Sequence, residues 1–367
     1  MNIRGWTISL FQPTEDHHQE VVKHSRRKAR ANGLLIVHTD EGIDGIVSSD
    51  ATRLAQLARS LSSATEHLVG QNPFDRGRIE KTLVARFNWT ADLIGLLDYA
   101  LWDIAGKALG QPIHQLIGGC RDKVLAYAST VHHSTDERFI ETVLACKEMG
   151  FKAIKLHPYC VPDEDMRLCR KVREAVGDEM ILMLDTLVYP GPYTRRDAHR
   201  MARLLDELDF YWFEDPLHRT DLEGLAELRR SCERVLIRAA DKTRDIREYA
   251  AMIKLGCIDI VAGPSAFGIT DLLKLAHFAE IHGMDLEPHD FNGGTASLHV
   301  LMSIMNGRFY EIAVPRGSFD VGMYPDVYLD PCWIDPDGFI AAPSKPGLGF
   351  GIDLKAAALV TEHTIRS

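Results

Sequence analysis

Several features are missing from this 367-residue chain, and each absence excludes something. No Cys-x-x-Cys pair occurs. The seven cysteines (Cys120, Cys146, Cys160, Cys169, Cys232, Cys257 and Cys332) are odd in number and scattered. That pattern excludes a disulfide framework and a zinc knuckle, and it fits reduced thiols in the packed interior of a cytoplasmic protein. No apolar run approaches ~18 residues, so no membrane-spanning helix is expected. The apolar patch in MNIRGWTISLF is too short for a signal h-region and runs into charged residues. There is no basic excess. A net charge of −10 argues against nucleic acid or an anionic membrane surface as partner. G-x-G-x-x-G, G-x-S-x-G and the phosphate-loop pattern are all absent. HTDEGIDG resembles part of a calcium loop but lacks the alternating acids and the terminal Glu.

What is present is a repeating unit that ends in acids. Asp185 closes MILMLD, Glu214 lies in FYWFED and Asp241 closes VLIRAAD, at separations of 29 and 27 residues. That interval is about one strand plus a crossover helix and its loops. FKAIKLH ends at His157, 28 residues before Asp185, while MDLEPHD carries His289 and FYEIAV carries Glu311. Together with VLAYAST and IDIVAG these make eight apolar runs between residues 124 and 314. Helical segments such as DEDMRLCRKVREAVG and TDLLKLAHFAEIHG lie between them. Eight such units predict a (β/α) barrel, in which the C-terminal ends of all strands surround one mouth. Three carboxylates converging there repel one another unless a cation lies between them. All-oxygen ligation favours a hard divalent ion, Mg²⁺ ahead of Mn²⁺ or Ca²⁺. Lys155 and His157, two positions apart on one strand, point the same way.

Residues 1–120 lack this alternation. RGWTISLF and GLLIVHTDEGIDGIV read as strands, the latter turning at DEG. DATRLAQLARSLSSATEHLVG reads as an amphipathic helix, with Leu54, Leu57, Leu61 and Leu68 near helical spacing. ADLIGLLDYALWDIAGKALG is a long apolar helix closed by Gly110, with Pro112 just beyond. Strands followed by helices predict a separate α+β unit. The barrel is assigned to residues 121–314. The Pro- and Gly-rich tail, 315–367, shows no periodic helix and is expected to return to the first unit.

In order along the chain these segments resemble the enolase superfamily, in its mandelate racemase and muconate lactonizing enzyme branch. HTDEGIDG, LLDYALWDIAGKALGQPIHQLIGG, GFKAIKLH, LMLD, WFEDP, AAD and FGIT carry the resemblance, which covers nearly the whole chain. It implies a modified (β/α)7β TIM-type barrel under an N-terminal α+β capping domain that the C-terminal tail completes. Capping loops are expected near residues 10–30 and 70–80. It also implies one Mg²⁺ per subunit, with Mn²⁺ as the alternative, held by Asp185, Glu214 and Asp241. The family removes a proton α to a carboxylate, and the cation stabilises the second negative charge this creates.

His157 replaces the second lysine of the family's Lys-x-Lys and is the expected base, a role histidine can fill near neutral pH. Lys155 would pair with the substrate carboxylate or a neighbouring acid. His289 matches the seventh-strand acid/base. The sixth-strand Asp that normally orients it is absent from IDIVAGPSAFGIT, where Asp259 lies too early in the strand. Ser265 or a backbone carbonyl is expected to hold the imidazole instead. Glu311 matches an eighth-strand acid that binds the substrate carboxylate in some members, and Asp290 is grouped with it as substrate-binding. Arg238, Lys242 and Arg316 read as ordinary salt-bridge formers, and His132 and His133 as chance neighbours of the site.

The expected reaction is loss of water from an aldonate or aldarate to give a 2-keto-3-deoxy acid. His157 takes the α-proton and His289 protonates the departing 3-hydroxyl. Lys155 beside His157, and Asp285, Glu287 and Asp290 near His289, make the two imidazoles unlike. That suits elimination better than racemisation, which needs two matched bases. A racemase or epimerase of a 2-hydroxy acid is the alternative, and a metal-binding barrel without catalysis is an alternative of another class. The expected partners are a small-molecule carboxylate and further copies of the same chain.

Overall fold

The computed structural model describes residues 1–12, 32–186, 193–240, 242–264, 266–289, 296–314, 327–329 and 333–367. An antiparallel sheet begins the chain with β1 (Ile3–Phe11), β2 (Asn32–Thr39) and β3 (Gly45–Asp50). β2 and β3 pair as the hairpin expected at DEG, where Gly42 has φ 73°, a left-handed turn conformation that side chains disfavour. Asp50 then caps the helix Ala51–Leu68, its carboxylate accepting from Arg53 N at 3.1 Å. Leu54, Leu57, Leu61 and Leu68 share one core with Trp6, Leu35 and Val37 of the sheet.

A helix over Arg76–Phe87 occupies part of the 70–80 stretch expected to be loop. Its buried pair Ile79 and Leu83 stands at helical spacing, a signal masked by the charged, glycine-containing start. The other expected capping loop falls largely outside the described residues. The helix Ala91–Leu109 is buried on nearly every side, touching β3 and the barrel helix Ile269–Ile281. It ends at Gly110 in the left-handed region, φ 65°.

Eight parallel strands follow: β4 (Lys123–Thr130), β5 (Ala153–Leu156), β6 (Ile181–Asp185), β7 (Phe210–Glu214), β8 (Leu236–Ala239), β9 (Ile260–Gly263), β10 (Asp285–Pro288) and β11 (Phe309–Val314). They pair in chain order, and β11 comes round to β4. Tyr127, Met183, Trp212, Ile260 and Phe309 fill the barrel floor. Tyr127 and Phe309 meet Trp212 edge-on, with ring centroids at 5.3 and 6.1 Å. Side chains alternate along a strand, so Ser129, Asp185, Glu214 and Glu311 point inward one layer nearer the mouth.

The seam between β10 and β11 closes differently. Leu286 N donates to Asn306 O at 2.7 Å, and the Glu287 carboxylate accepts from Arg308 N and Phe309 N, both at 3.0 Å. Burial pushes this carboxyl up to about 8, and the two backbone donors offset only part of that.

In the tail, β12 (Tyr328–Leu329) pairs with β14 (Gly351–Ile352), while β13 (Phe339–Ala341) runs antiparallel to β4. β15 (Thr361–Arg366) joins the free edge of β1. The tail thus returns to the first sheet as expected, but only after covering the first barrel strand. It also contains a helix, Leu354–Val360, whose seven residues are too few to show a period in the sequence. No described helix is long and apolar enough to cross a membrane.

Candidate active site

The barrel brings six of the expected site residues into one buried cluster. Asp185 and Glu214 are direct neighbours across β6 and β7, 3% and 1% exposed. Lys155 Nζ lies 3.1 Å from Glu311 Oε1, 3.3 Å from Glu214 Oε2 and 3.5 Å from Asp185 Oδ2. Burial alone would push the ammonium down, but the surrounding Glu311 and Asp185 carboxylates outweigh it and hold Lys155 above its ordinary range. Burial would likewise raise Glu311, yet His289 and Lys155 hold its carboxyl down to about 2. Arg238, fully buried, pairs with Glu214 Oε1 and donates to the Glu287 carbonyl at 3.0 Å. Its guanidinium lies 5.3 Å from the Trp212 ring centroid. Among the described residues, Lys155 and Arg238 are fixed cations set against the carboxylates Asp185, Glu214 and Glu311.

Two imidazoles flank this cluster. His157 donates from Nδ1 to the Thr130 carbonyl at 2.5 Å, which turns Nε2 toward Asp185 Oδ2 at 3.0 Å. Thr130 also uses its hydroxyl to hold the Lys155 carbonyl, at 3.1 Å. His289 Nδ1 lies 3.3 Å from Glu311 Oε2, and its backbone N–H donates to Gly263 O at 2.7 Å. Each imidazole therefore has its own carboxylate, and Lys155 touches both carboxylates.

Asp241, Asp290, Ser265 and Arg316 lie outside the described residues. With Asp241 among them, the described residues hold no group of three His, Cys, Asp or Glu arranged for a metal ion. Of the three acids expected near His289, Asp290 lies outside the described residues and the other two are engaged elsewhere. Asp285 pairs with Arg308 at 2.7 Å, and Glu287 closes the β10–β11 seam. Two residues advance a strand by about 6.6 Å, so neighbours in sequence sit in different layers. The acid that meets the imidazole comes from the next strand, as Glu311. Asp259 is indeed too early, bound to Arg229 Nε at 2.6 Å and to Ile237 N at 2.9 Å.

Three further residues belong to this cluster. Arg238 forms the expected salt bridge, but deep inside the site, and its signal was a charge interrupting an apolar strand run. His132 stands with its ring centroid 5.6 Å from that of His157 and donates from Nδ1 to Pro158 O at 3.0 Å. His133 turns away onto Phe139, at 4.9 Å. Thr130, which selects the His157 tautomer, acts through its backbone carbonyl and left no trace in the sequence.

A parallel barrel with buried carboxylates, a buried lysine and two imidazoles at its mouth, under an α+β cap, defines a barrel enzyme of the acid–base type. The chain belongs to the mandelate racemase/muconate lactonizing enzyme family of the enolase superfamily. Residues 8–118 match the mandelate racemase/muconate lactonizing enzyme N-terminal domain, and residues 138–357 match the enolase C-terminal domain-like family. The chain is 30% identical over 268 residues to L-talarate/galactarate dehydratase of Salmonella typhimurium, covering 69% of this chain and 66% of that protein. It is 26% identical over 338 residues to N-succinyl-L-Arg/Lys racemase of Bacillus cereus, covering 87% of each. The crystal structure of D-glucarate dehydratase from Agrobacterium tumefaciens, complexed with magnesium, superposes with a TM-score of 0.85 at 29% identity. That match covers 99% of this chain and 100% of the other.

Proposed function

We propose that this enzyme removes the proton α to the carboxylate of an acid sugar, an aldonate or aldarate, and expels water to give a 2-keto-3-deoxy acid. The observation that carries the reading is the pairing His157–Asp185 and His289–Glu311 around a buried lysine. Two proton-transfer groups thus flank a site already organised for negative charge. The dehydratases of Salmonella typhimurium and Agrobacterium tumefaciens support the choice of reaction.

The residues fit a divalent cation. Asp185 and Glu214 offer hard carboxylate oxygens side by side, and Asp241 comes two positions after the end of β8, next to Ala240. An all-oxygen set of this kind suits a hard divalent ion, Mg²⁺, with Mn²⁺ as the alternative. When bound, the cation supplies electrostatic stabilisation for the charge that develops on the substrate carboxylate.

The protein's own groups do the rest. His157 keeps its Nδ1 proton on Thr130, so Nε2 receives the α-proton. His289 delivers a proton to the 3-hydroxyl as the C3–O bond breaks, and water leaves. The resulting enol takes up a proton at C3 and becomes the keto acid, for a net loss of one water. Lys155 and Arg238 neutralise the carboxylates so that they can stand together.

The geometry makes the two imidazoles more alike than their sequence neighbours implied, since both face an acid. That specific observation, with the Bacillus cereus relative, keeps racemisation as the second reading. Elimination is favoured because Asp185 is a candidate ligand. A carboxylate committed to a cation no longer holds an imidazolium, whereas Glu311 keeps its place beside His289. The test is mass spectrometry of acid sugars incubated with enzyme and Mg²⁺. A product lighter by one water, trapped as a semicarbazone, is expected. Recovery at unchanged mass with inverted configuration would overturn dehydration in favour of epimerisation.

A further inference from the structure

We infer that His132 is the positioning residue of His157: it grips the main chain directly after that imidazole and so fixes where the ring points. The catalytic consequence rests on the function proposed above, whereas the grip itself is independent of the reaction.

The chain leaves β5 at Leu156 and runs without regular structure through His157, Pro158 and Tyr159. These residues lie beyond the last ladder pairs, Ser129 with Lys155 and Leu156 with Leu184. Their backbone therefore has to be held by groups from other elements. Pro158 has no N–H, which leaves its carbonyl as the single polar group by which that residue can be held. His132 Nδ1 donates to this carbonyl at 3.0 Å. Cys160 then takes φ 62°, a left-handed conformation unfavourable for a residue with a Cβ. Such a turn persists only where the surrounding structure over-determines it.

The holding groups come largely from one segment, the exit of β4. Thr130 accepts from His157 N at 3.4 Å and from Nδ1 at 2.5 Å. His132 takes Pro158, and Asp136 accepts from the Tyr159 hydroxyl at 2.8 Å. Contacts thus climb one residue at a time along the exit of β5. Thr130 holds one edge of the His157 imidazole, and the grip on Pro158 stops the next peptide from carrying the ring off that edge. The His132 ring also stands against the His157 ring, centroids 5.6 Å apart and tilted by 54°. Because a carbonyl can only accept, the proton of the Pro158 contact belongs to His132 Nδ1. That donor is what a substitution can remove or keep.

His132→Phe keeps a ring beside His157 and removes the donor. His132→Asn keeps a donor, since its amide nitrogen stands close to the place of Nδ1. Positioning predicts that kcat falls by ~10²-fold in His132→Phe with KM little changed, the loss expected when a reacting group moves by about 1 Å. His132→Asn should recover most of it. His132→Gln, whose amide lies too far out to reach Pro158, serves if the phenylalanine variant folds poorly. Nitrogen-15 NMR of histidine-labelled, substrate-free protein gives the readout that a merely structural contact would not move. His157 should be protonated at Nδ1 alone in the wild type and in His132→Asn, and divided between tautomers in His132→Phe. An unchanged His157 tautomer in His132→Phe would overturn the inference. So would a KM raised in both variants with kcat retained, which would make His132 a substrate contact instead. If the wild type turns over no acid sugar, the NMR result alone decides. A divided tautomer would then uphold positioning while the proposed reaction falls.

Discussion

Replacing Asp98 by asparagine tests how the capping unit is fastened to the barrel. Asp98 lies in the buried helix Ala91–Leu109, and its carboxylate accepts from Thr270 N at 2.9 Å and Thr270 Oγ1 at 2.6 Å. Thr270 is in the first turn of the helix Ile269–Ile281, whose own N-cap is Gly268 and has no side chain to offer. One unit therefore caps a helix of the other, next to Tyr99, which donates its hydroxyl to Phe267 O at 2.5 Å. Burial pushes the Asp98 carboxyl up to about 6, against the Thr270 hydrogen bonds and Arg76. Its folded value thus exceeds the ordinary 3.8. The associated stability is fully present below that ordinary value and is lost as pH rises through about 6. Two units at ~1.4 kcal/mol each amount to about 3 kcal/mol. An asparagine has no such proton to lose. The stability gap between Asp98→Asn and wild type should therefore move by about 3 kcal/mol in the variant's favour between pH 4 and pH 7. With an unfolding entropy of ~2 cal/mol/K per residue, the gap in Tm should move by about 4 °C. Thermal unfolding followed by circular dichroism at four pH values measures this. Parallel profiles for the two proteins would refute the reasoning and mean that the Thr270 hydrogen bonds fully compensate burial.

The other predictions concern the site and the seam. Asp185→Asn, Glu214→Gln and Asp241→Asn should each weaken Mg²⁺ binding by at least ~10-fold without loss of fold, since residues at the mouth do not build the core. Isothermal titration giving wild-type affinity in two of the three would remove the ligand assignment. In D₂O with substrate, His157→Asn should abolish deuterium incorporation at the α-carbon. Exchange that survives in His157→Asn but vanishes in His289→Asn would move the base to β10, and no exchange with any hydroxy acid would favour a binding role. Glu287→Ala should destabilise the protein by about 2–6 kcal/mol, because the Arg308 and Phe309 N–H groups lose their buried acceptor. Urea unfolding at wild-type stability would show that the seam does not depend on this carboxylate.

The barrel was legible because it rests on local regularities. Eight apolar runs at one spacing specify eight strands, and the period-2 pleat assigns Lys155, Asp185, Glu214 and Glu311 to the same inward face as the aromatic floor. The helix at 76–87 escaped because its glycine and charges obscure a two-residue apolar signal. The seven-residue helix at 354–360 and the strand β13 were too short to declare themselves.

By itself the sequence determined which side chains stand at the mouth of the barrel, because strand period and strand order are written along the chain. It did not determine which of them meet. Glu311 reaches His289, Glu287 stitches β10 to β11, His132 stands against His157 and Asp98 caps a helix at Thr270, a pair separated by 172 positions. These pairings depend on how deep each strand sits, how closely two backbones approach at a residue such as Gly263, and how the two units dock. A contact between strands is fixed to within an ångström by the packing of everything around it. No local pattern carries that information, so only the tertiary structure could decide which acid serves which histidine.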